Sequence, residues 1–274
     1  MDWTQNYERI AEGARAVRQQ SLADSSGIEA AHRSIADIKA WQEVLVARPE
    51  ASIFAQIISA LELGLFSLVS GLYRQAYGSL RLAVELSAGI SWFSTHRLDL
   101  AEWQTGQFDL VWREITNTDE GILSPRYRKA FFPEFKEEKK YDSLCKTLYR
   151  ELSEYVHGNA RTWAGPDDIR FDDELQADWL NRLETYLLVA TVLFAVRYLQ
   201  EVSRNDLEKL QPVLRSRVSH VEAIVKYLEE KLQPAAGLQE EHRESPPIGP
   251  QGTALVEPRA NEESQITEIA EEEA

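Results

Sequence analysis

Residues 51–93 read ASIFAQIISALELGLFSLVSGLYRQAYGSLRLAVELSAGISWF, and this stretch decides the fold. Ile53, Ile57, Leu61, Leu65, Leu68 and Leu72 recur at spacings of three and four, the period of one helix face. After a break near Gly71, Tyr73, Tyr77, Leu80, Val84 and Ser87 form a second stripe. Two long helices joined by so short a turn must lie antiparallel, as a hairpin. Glu62 is the single charge from Ala51 to Tyr73, so length and apolarity alone would fit a membrane span. Ser52, Gln56, Ser59, Ser67 and Ser70 interrupt that apolarity and favour a buried core helix.

Working outward, the upstream sequence is also helical. A first helix is expected from Asp2 to about Gln20. Ser26-Gly27-Ile28-Glu29 has the form of a capping box and opens a run with Ile28, Ala31, Ile35, Ile38, Trp41 and Leu45 on one face, ending before Pro49. Downstream, Leu98 to Pro133 is mixed, with short helices around Trp103 and Trp112 and loops at Asn117–Gly121 and Ser124-Pro125. A helix follows from about Ser143 to Val156, then the breakers Gly158, Gly165 and Pro166. Leu175 to about Val202 is a long apolar helix, with Asp172 or Asp173 as its cap, and Asp206 to Leu232 reads as one amphipathic helix. No alternating strand pattern or fixed repeat is present. The fold class is all-α, an antiparallel helical bundle. Residues 1–50 read as an N-terminal helical extension, 51–203 as the bundle, 206–232 as a C-terminal helix and 233–274 as a disordered acidic tail.

The 274 residues hold 45 acidic and 30 basic side chains, a formal charge of −15. That balance argues against a protein that coats nucleic acid by neutralising phosphates. More than half of it sits on the Pro-rich tail, where ten Glu stand against Arg243 and Arg259. Cys145 is alone, which excludes an internal disulfide and a Cys-based zinc site. His32, His96, His220 and His242 show no ligand spacing, so no metal or cofactor is expected. The Trp residues at 3, 41, 92, 103, 112, 163 and 179 read as core and loop anchors. The sequence after Met1 lacks the charged and apolar regions of a signal peptide, so a cytoplasmic protein without a membrane is expected.

One segment carries candidate chemistry: Tyr149-Arg150-Glu151-Leu152-Ser153-Glu154-Tyr155-Val156-His157-Gly158. At 100° per residue, His157 falls about 20° short of two full turns from Arg150, with Ser153 and Glu154 between them. Leu144, Leu148, Leu152 and Tyr155 cluster on the other side. Two readings are open. An imidazole titrating near neutral pH beside a phosphate-binding guanidinium is a catalytic pair. Alternatively, His157 caps the helix C-terminus and Arg150 with Glu154 is a surface ion pair. Arg81 and Glu85, four apart on the second hairpin helix, are more often a bundle salt bridge than site residues.

This segment, with Leu68–Ala76 and Leu80–Glu85 in the preceding hairpin, resembles the HEPN superfamily (higher eukaryotes and prokaryotes nucleotide-binding domains), in groups found in bacteria. The resemblance covers about residues 51–203. RNase members carry Arg, four to six residues, then His near a helix end, and Arg150-x6-His157 fits the upper limit. Glu151 stands where many catalytic members have a small polar residue. The resemblance implies a metal-independent endoribonuclease, in antiviral defence or a toxin system, acting as a homodimer with a regulatory or antitoxin protein partner. Arg150 and His157 would then be catalytic, with Ser153, Glu154, Glu85 and Arg81 supporting them. The alternative is a catalytically silent HEPN-like module that binds a partner protein or nucleotide; a structural helical adaptor is a third reading.

The stretch from Arg126 to Arg150 is locally basic, with Arg126, Arg128, Lys129, Lys139, Lys140 and Lys146 as candidate RNA contacts. Tyr127, Phe131, Phe132 and Phe135 are interleaved, a pattern that suits single-stranded RNA held by stacking and phosphate contact. The other reading, slightly favoured, is a solvated loop whose aromatics anchor it to the bundle.

Overall fold

The computed structural model describes residues 2–23, 25–157, 159–162 and 169–233, with the side chain of Arg161 excepted. The acidic tail, Gly158, Trp163, Gly165, Pro166 and His242 lie outside the described residues. Among the described residues there are eleven α-helices and no strand: α1 (Trp3–Ser21), α2 (Ser26–Val44), α3 (Ser52–Val69), α4 (Tyr73–Phe93), α5 (Arg97–Gln104), α6 (Trp112–Ile115), α7 (Pro125–Phe131), α8 (Glu138–Val156), α9 (Asp173–Tyr198), α10 (Arg204–Val218) and α11 (Glu222–Leu232). The fold is an all-α helical bundle.

The hairpin α3–α4 forms as its stripes require. Ile53, Ile57, Leu61, Leu65 and Leu68 on α3 and Tyr73, Tyr77, Leu80 and Val84 on α4 are all buried. The turn needs Gly71, whose φ is +72°. A Cβ there would also meet Val17 of α1 at 3.2 Å. The α9 helix lies against α2, α4, α8 and α10, and its second half, from Tyr186 to Tyr198, is buried on almost every side. A helix apolar all round belongs in the interior of a bundle. Phe194 packs edge-to-face on Trp41 and Phe54, with ring centroids 5.6 and 5.2 Å away. Asp172 supplies the α9 cap, its side chain accepting from the Leu175 amide.

Charged groups also lie inside. Glu50, in the 3-10 turn Pro49–Ala51 before α3, is buried and accepts from the Tyr198 hydroxyl at 2.8 Å, with Arg97 at 3.4 Å. Nearby Arg197, also buried, donates to Ser94 at 2.6 Å and to Glu201 at 2.5 Å, and its guanidinium lies over the Phe131 ring. Arg48 also reaches Glu201, at 2.5 Å.

Four expectations are corrected. The residue capping α2 is Ser25 rather than Ser26, and it makes no side-chain cap hydrogen bond. Ser124-Pro125 is no loop but the start of α7, with Ser124 capping the Tyr127 amide and Pro125 at the first helical position, where its missing N–H costs nothing. The expected helix from Asp206 to Leu232 is two helices, broken at Ser219-His220-Val221. Trp3 is 73% exposed, in edge-to-face contact with the exposed Tyr7, and anchors no core.

By length and composition, two helices could cross a membrane: Pro49–Val69 and Asp173–Tyr198, of which the second was not foreseen. Half of the first window and two-thirds of the second are buried against other helices of the bundle.

Candidate functional site

The candidate residues lie on α8, whose faces follow from its helical period. With Arg150 taken as the outward direction, Leu148, Leu152, Tyr141 and Cys145 fall within about 40° of the opposite direction, and all four are buried. Each fully buried leucine contributes roughly 1.5–3 kcal/mol. These contacts clamp α8 between α4 and α9, so its flanks carry two different polar seams.

Toward α4, Arg81 is the hub. Its Nε donates to Ser153 Oγ at 3.1 Å, Nη1 to Glu85 at 3.1 Å, and Nη2 to the Tyr149 hydroxyl. Its guanidinium also lies over the Tyr149 ring, which stacks on Trp112 at 3.7 Å. Ser153 in turn donates to the Tyr149 carbonyl at 2.7 Å. Both members of the Arg81–Glu85 pair are less than one-fifth exposed, so the bundle salt bridge is present. Ser153, expected to share the outward face, is turned toward α4. About −60° separates it from Arg150 on the helical wheel, enough for Arg81 to capture it.

Toward α9, Glu151 pairs with Arg182, which also holds Asp178 at 2.7 Å. The Tyr77 and Tyr155 rings stack at 3.7 Å, and Tyr77 donates to Asp178 at 2.6 Å. Burial first, and then the hydrogen bond to Asp178, raise the Tyr77 phenol well above its ordinary pKa, so it stays a donor. Glu151 is therefore part of the link to α9. A cleft of about 400 Å³ opens here, lined by Glu151, Glu154, Tyr155, Asn159, Thr162 and Arg182.

Arg150 and His157 are both exposed. Among the described residues, no hydrogen bond or ion pair involves either side chain. The expected Arg150–Glu154 pair is absent there; the Glu154 carboxylate accepts from Asn159 instead. His157 is the C-cap of α8, with an extended backbone, φ −77° and ψ 159°. The four last carbonyls of the helix are all satisfied. Ser153 accepts from the His157 amide at 3.0 Å, Glu154 from the Thr162 hydroxyl at 2.7 Å, and Tyr155 and Val156 from Arg74 of α4 at 2.8 and 3.3 Å. Arg74 was missed in the sequence, where nothing joins it to a helix end some eighty residues later.

The basic stretch is mostly neutralised. Arg126 pairs with Glu120, Arg128 with Glu138, Lys140 with Glu137 and Lys146 with Asp142. Lys129 and Lys139 are exposed. The aromatics do not form a stacking platform: Tyr127, Phe132 and Phe135 are buried, and Phe131 packs under Arg197. They anchor the segment to the bundle. Among the described residues, no group of three or more His, Cys, Asp or Glu side chains could hold a metal ion.

No family model, curated protein or solved structure matches the chain, so the end of α8, with its two exposed titratable and cationic side chains, is the ground for a functional reading.

Proposed function

We propose that the chain is a HEPN-like helical module that cleaves RNA without a metal, with Arg150 and His157 as its reacting pair. The observation that supports this reading is their shared exposure at the end of one helix packed between α4 and α9, where, among the described residues, no hydrogen bond or ion pair involves either side chain. In the reaction the ribose 2′-oxygen attacks the adjacent phosphorus, and the bond to the 5′-oxygen breaks. The products are a cyclic phosphate and a 5′-hydroxyl. His157 accepts the 2′-hydroxyl proton, and Arg150 offsets the charge that builds on the phosphate oxygens. One imidazole cannot take that proton and also give one to the leaving oxygen in the same step. The leaving 5′-oxygen takes its proton from His157 of a second copy, in the homodimer that the resemblance to HEPN ribonucleases implies. Val156, 43% exposed beside His157, and Leu82, 44% exposed on α4, provide apolar surface for that contact. The protein acts in the cytoplasm, with RNA as substrate and a regulatory protein as partner.

A second reading is the catalytically silent module that binds a partner protein or nucleotide. It is favoured by the polar cleft beside α8 and by the four neutralised cations of the Arg126–Lys146 segment. The two readings part in one assay. Purified full-length protein is incubated with single-stranded RNA of mixed sequence and EDTA, beside Arg150→Ala and His157→Ala. The first reading expects products ending in cyclic phosphate and 5′-hydroxyl, and a loss of cleavage in both variants. No cleavage by the wild type, or cleavage that survives both substitutions, overturns it.

A further inference from the structure

The C-terminal end of α8 is held from outside the helix. A helix leaves its last four carbonyls without intrahelical donors, and its dipole places negative charge there. Arg74 answers both. Its Nε donates to the Tyr155 carbonyl at 2.8 Å, and its Nη2 to the Val156 carbonyl at 3.3 Å and the His157 carbonyl at 3.4 Å. One guanidinium thus spans three consecutive carbonyls, two from the final turn of the helix and one from the cap itself. A planar fork with several donors suits this task; a lysine ammonium is a point charge without that geometry. The His157 carbonyl also accepts from the Asn159 amide at 2.7 Å, and the His157 amide donates back to Ser153 at 3.0 Å. The backbone of His157 is therefore fixed on both sides, while its side chain stays exposed. Arg74 sits at the start of α4, whose middle turns carry Arg81 and Glu85. The same element thus fixes Ser153 and Tyr149 through Arg81, and the helix end through Arg74.

We infer that Arg74 is a positioning residue: by binding the carbonyls of Tyr155, Val156 and His157, it fixes the backbone from which the His157 imidazole meets RNA. This rests on the RNA-cleaving reading, and its test separates the two. Arg74→Met keeps the length of the side chain and removes its donors; Arg74→Lys returns a cation without the fork. In the full-length protein, exchange of the His157 amide, followed by NMR, is expected to quicken at least tenfold in Arg74→Met, with amides of the second half of α9 unchanged. Cleavage of single-stranded RNA is expected to lose at least tenfold in kcat with KM kept within twofold, and Arg74→Lys to recover part of both. Unchanged exchange at His157 overturns the inference whatever the activity. Faster exchange with unaltered kcat in an active enzyme overturns it too. A wild type that cleaves no RNA removes the catalytic reading alone, and the exchange result still decides whether Arg74 holds His157.

Discussion

Arg197 and Arg150 are both arginines on long helices of the same bundle, and the fold treats them in opposite ways. Arg197 is buried, donates to Ser94 and Glu201, and covers the rings of Phe131 and Tyr198. Around it Glu50, Arg48, Arg97 and Glu201 complete a cluster that ties the start of α3 to α4 and α9. Arg150 stands in water, seven residues from an equally exposed His157. A charge in the interior must be paired, because an unpaired one costs several kcal/mol. A charge outside carries no such constraint, so its presence there contributes little to stability. The lesson is that packing and pairing account for the Arg197 cluster, whereas among the described residues no hydrogen bond or ion pair accounts for the side chains of Arg150 and His157.

That contrast can be broken at either end. The largest effect is expected inside: Arg197→Ala should destabilise the protein by about 1–3 kcal/mol, because it leaves Ser94 without its donor and uncovers the Phe131 and Tyr198 rings, while the partly exposed Glu201 regains water. Urea unfolding of wild type and variant measures it. A cost below 1 kcal/mol would mean that the cluster is not the structural lock described. Outside, on the proposed RNA-cleaving reading, Arg150→Ala and His157→Ala should leave stability within about 0.5 kcal/mol while lowering cleavage at least ~100-fold, the contribution of a charge-stabilising donor in the first and of an acid–base group in the second. The two assays run on the same preparations, and a melting change as large as that of Arg197→Ala would erase the distinction.

The smallest effect is a pH dependence of the inner cluster. Burial opposes the charge of Glu201, but the hydrogen bonds from Arg48 and Arg197 outweigh it and hold the carboxyl below its ordinary value of 4.5. A carboxyl with a depressed folded pKa contributes stability that is fully present above its unfolded pKa. That contribution is lost as pH falls through the folded value. Stability should therefore decline below about pH 4.5, and Glu201→Gln should flatten part of that decline. Parallel curves for the two proteins would assign the acid sensitivity to other groups.

Much of the fold could be read from single-helix periodicity. The α3–α4 hairpin was legible because its stripes and Gly71 agree, the α2 stripe because its apolar positions stay in phase over several turns, and α9 because it is a long apolar run. The break between α10 and α11 was not legible, since Leu207, Leu210, Leu214, Val218, Val221, Ile224 and Leu228 keep spacings of three and four straight across it. All seven are buried, and the turn at Ser219-His220 contains neither Gly nor Pro. His220 instead meets the Tyr141 hydroxyl at 3.0 Å, a contact with α8 that no local pattern announces. At the candidate site the outward direction of Arg150 follows from counting residues. The capture of Ser153 by Arg81, of Glu151 by Arg182 and of the helix end by Arg74 does not. Each depends on which helices flank α8, and that is decided by packing between segments far apart in the chain.

The lone thiol on the inner face of α8 gives the molecule a built-in stopwatch. Burial, and secondarily Asp142, push the Cys145 thiol up to about 12, and the side chain is 1% exposed. A thiol reacts as its thiolate, so an alkylating reagent can reach this sulfur only while α8 is lifted from its neighbours. The lag before labelling at pH 8 then times how often the helix bearing Arg150 and His157 leaves its seat. Labelling faster than global unfolding would mark α8 as a segment that opens by itself; labelling at the unfolding rate would make the helix inseparable from the bundle.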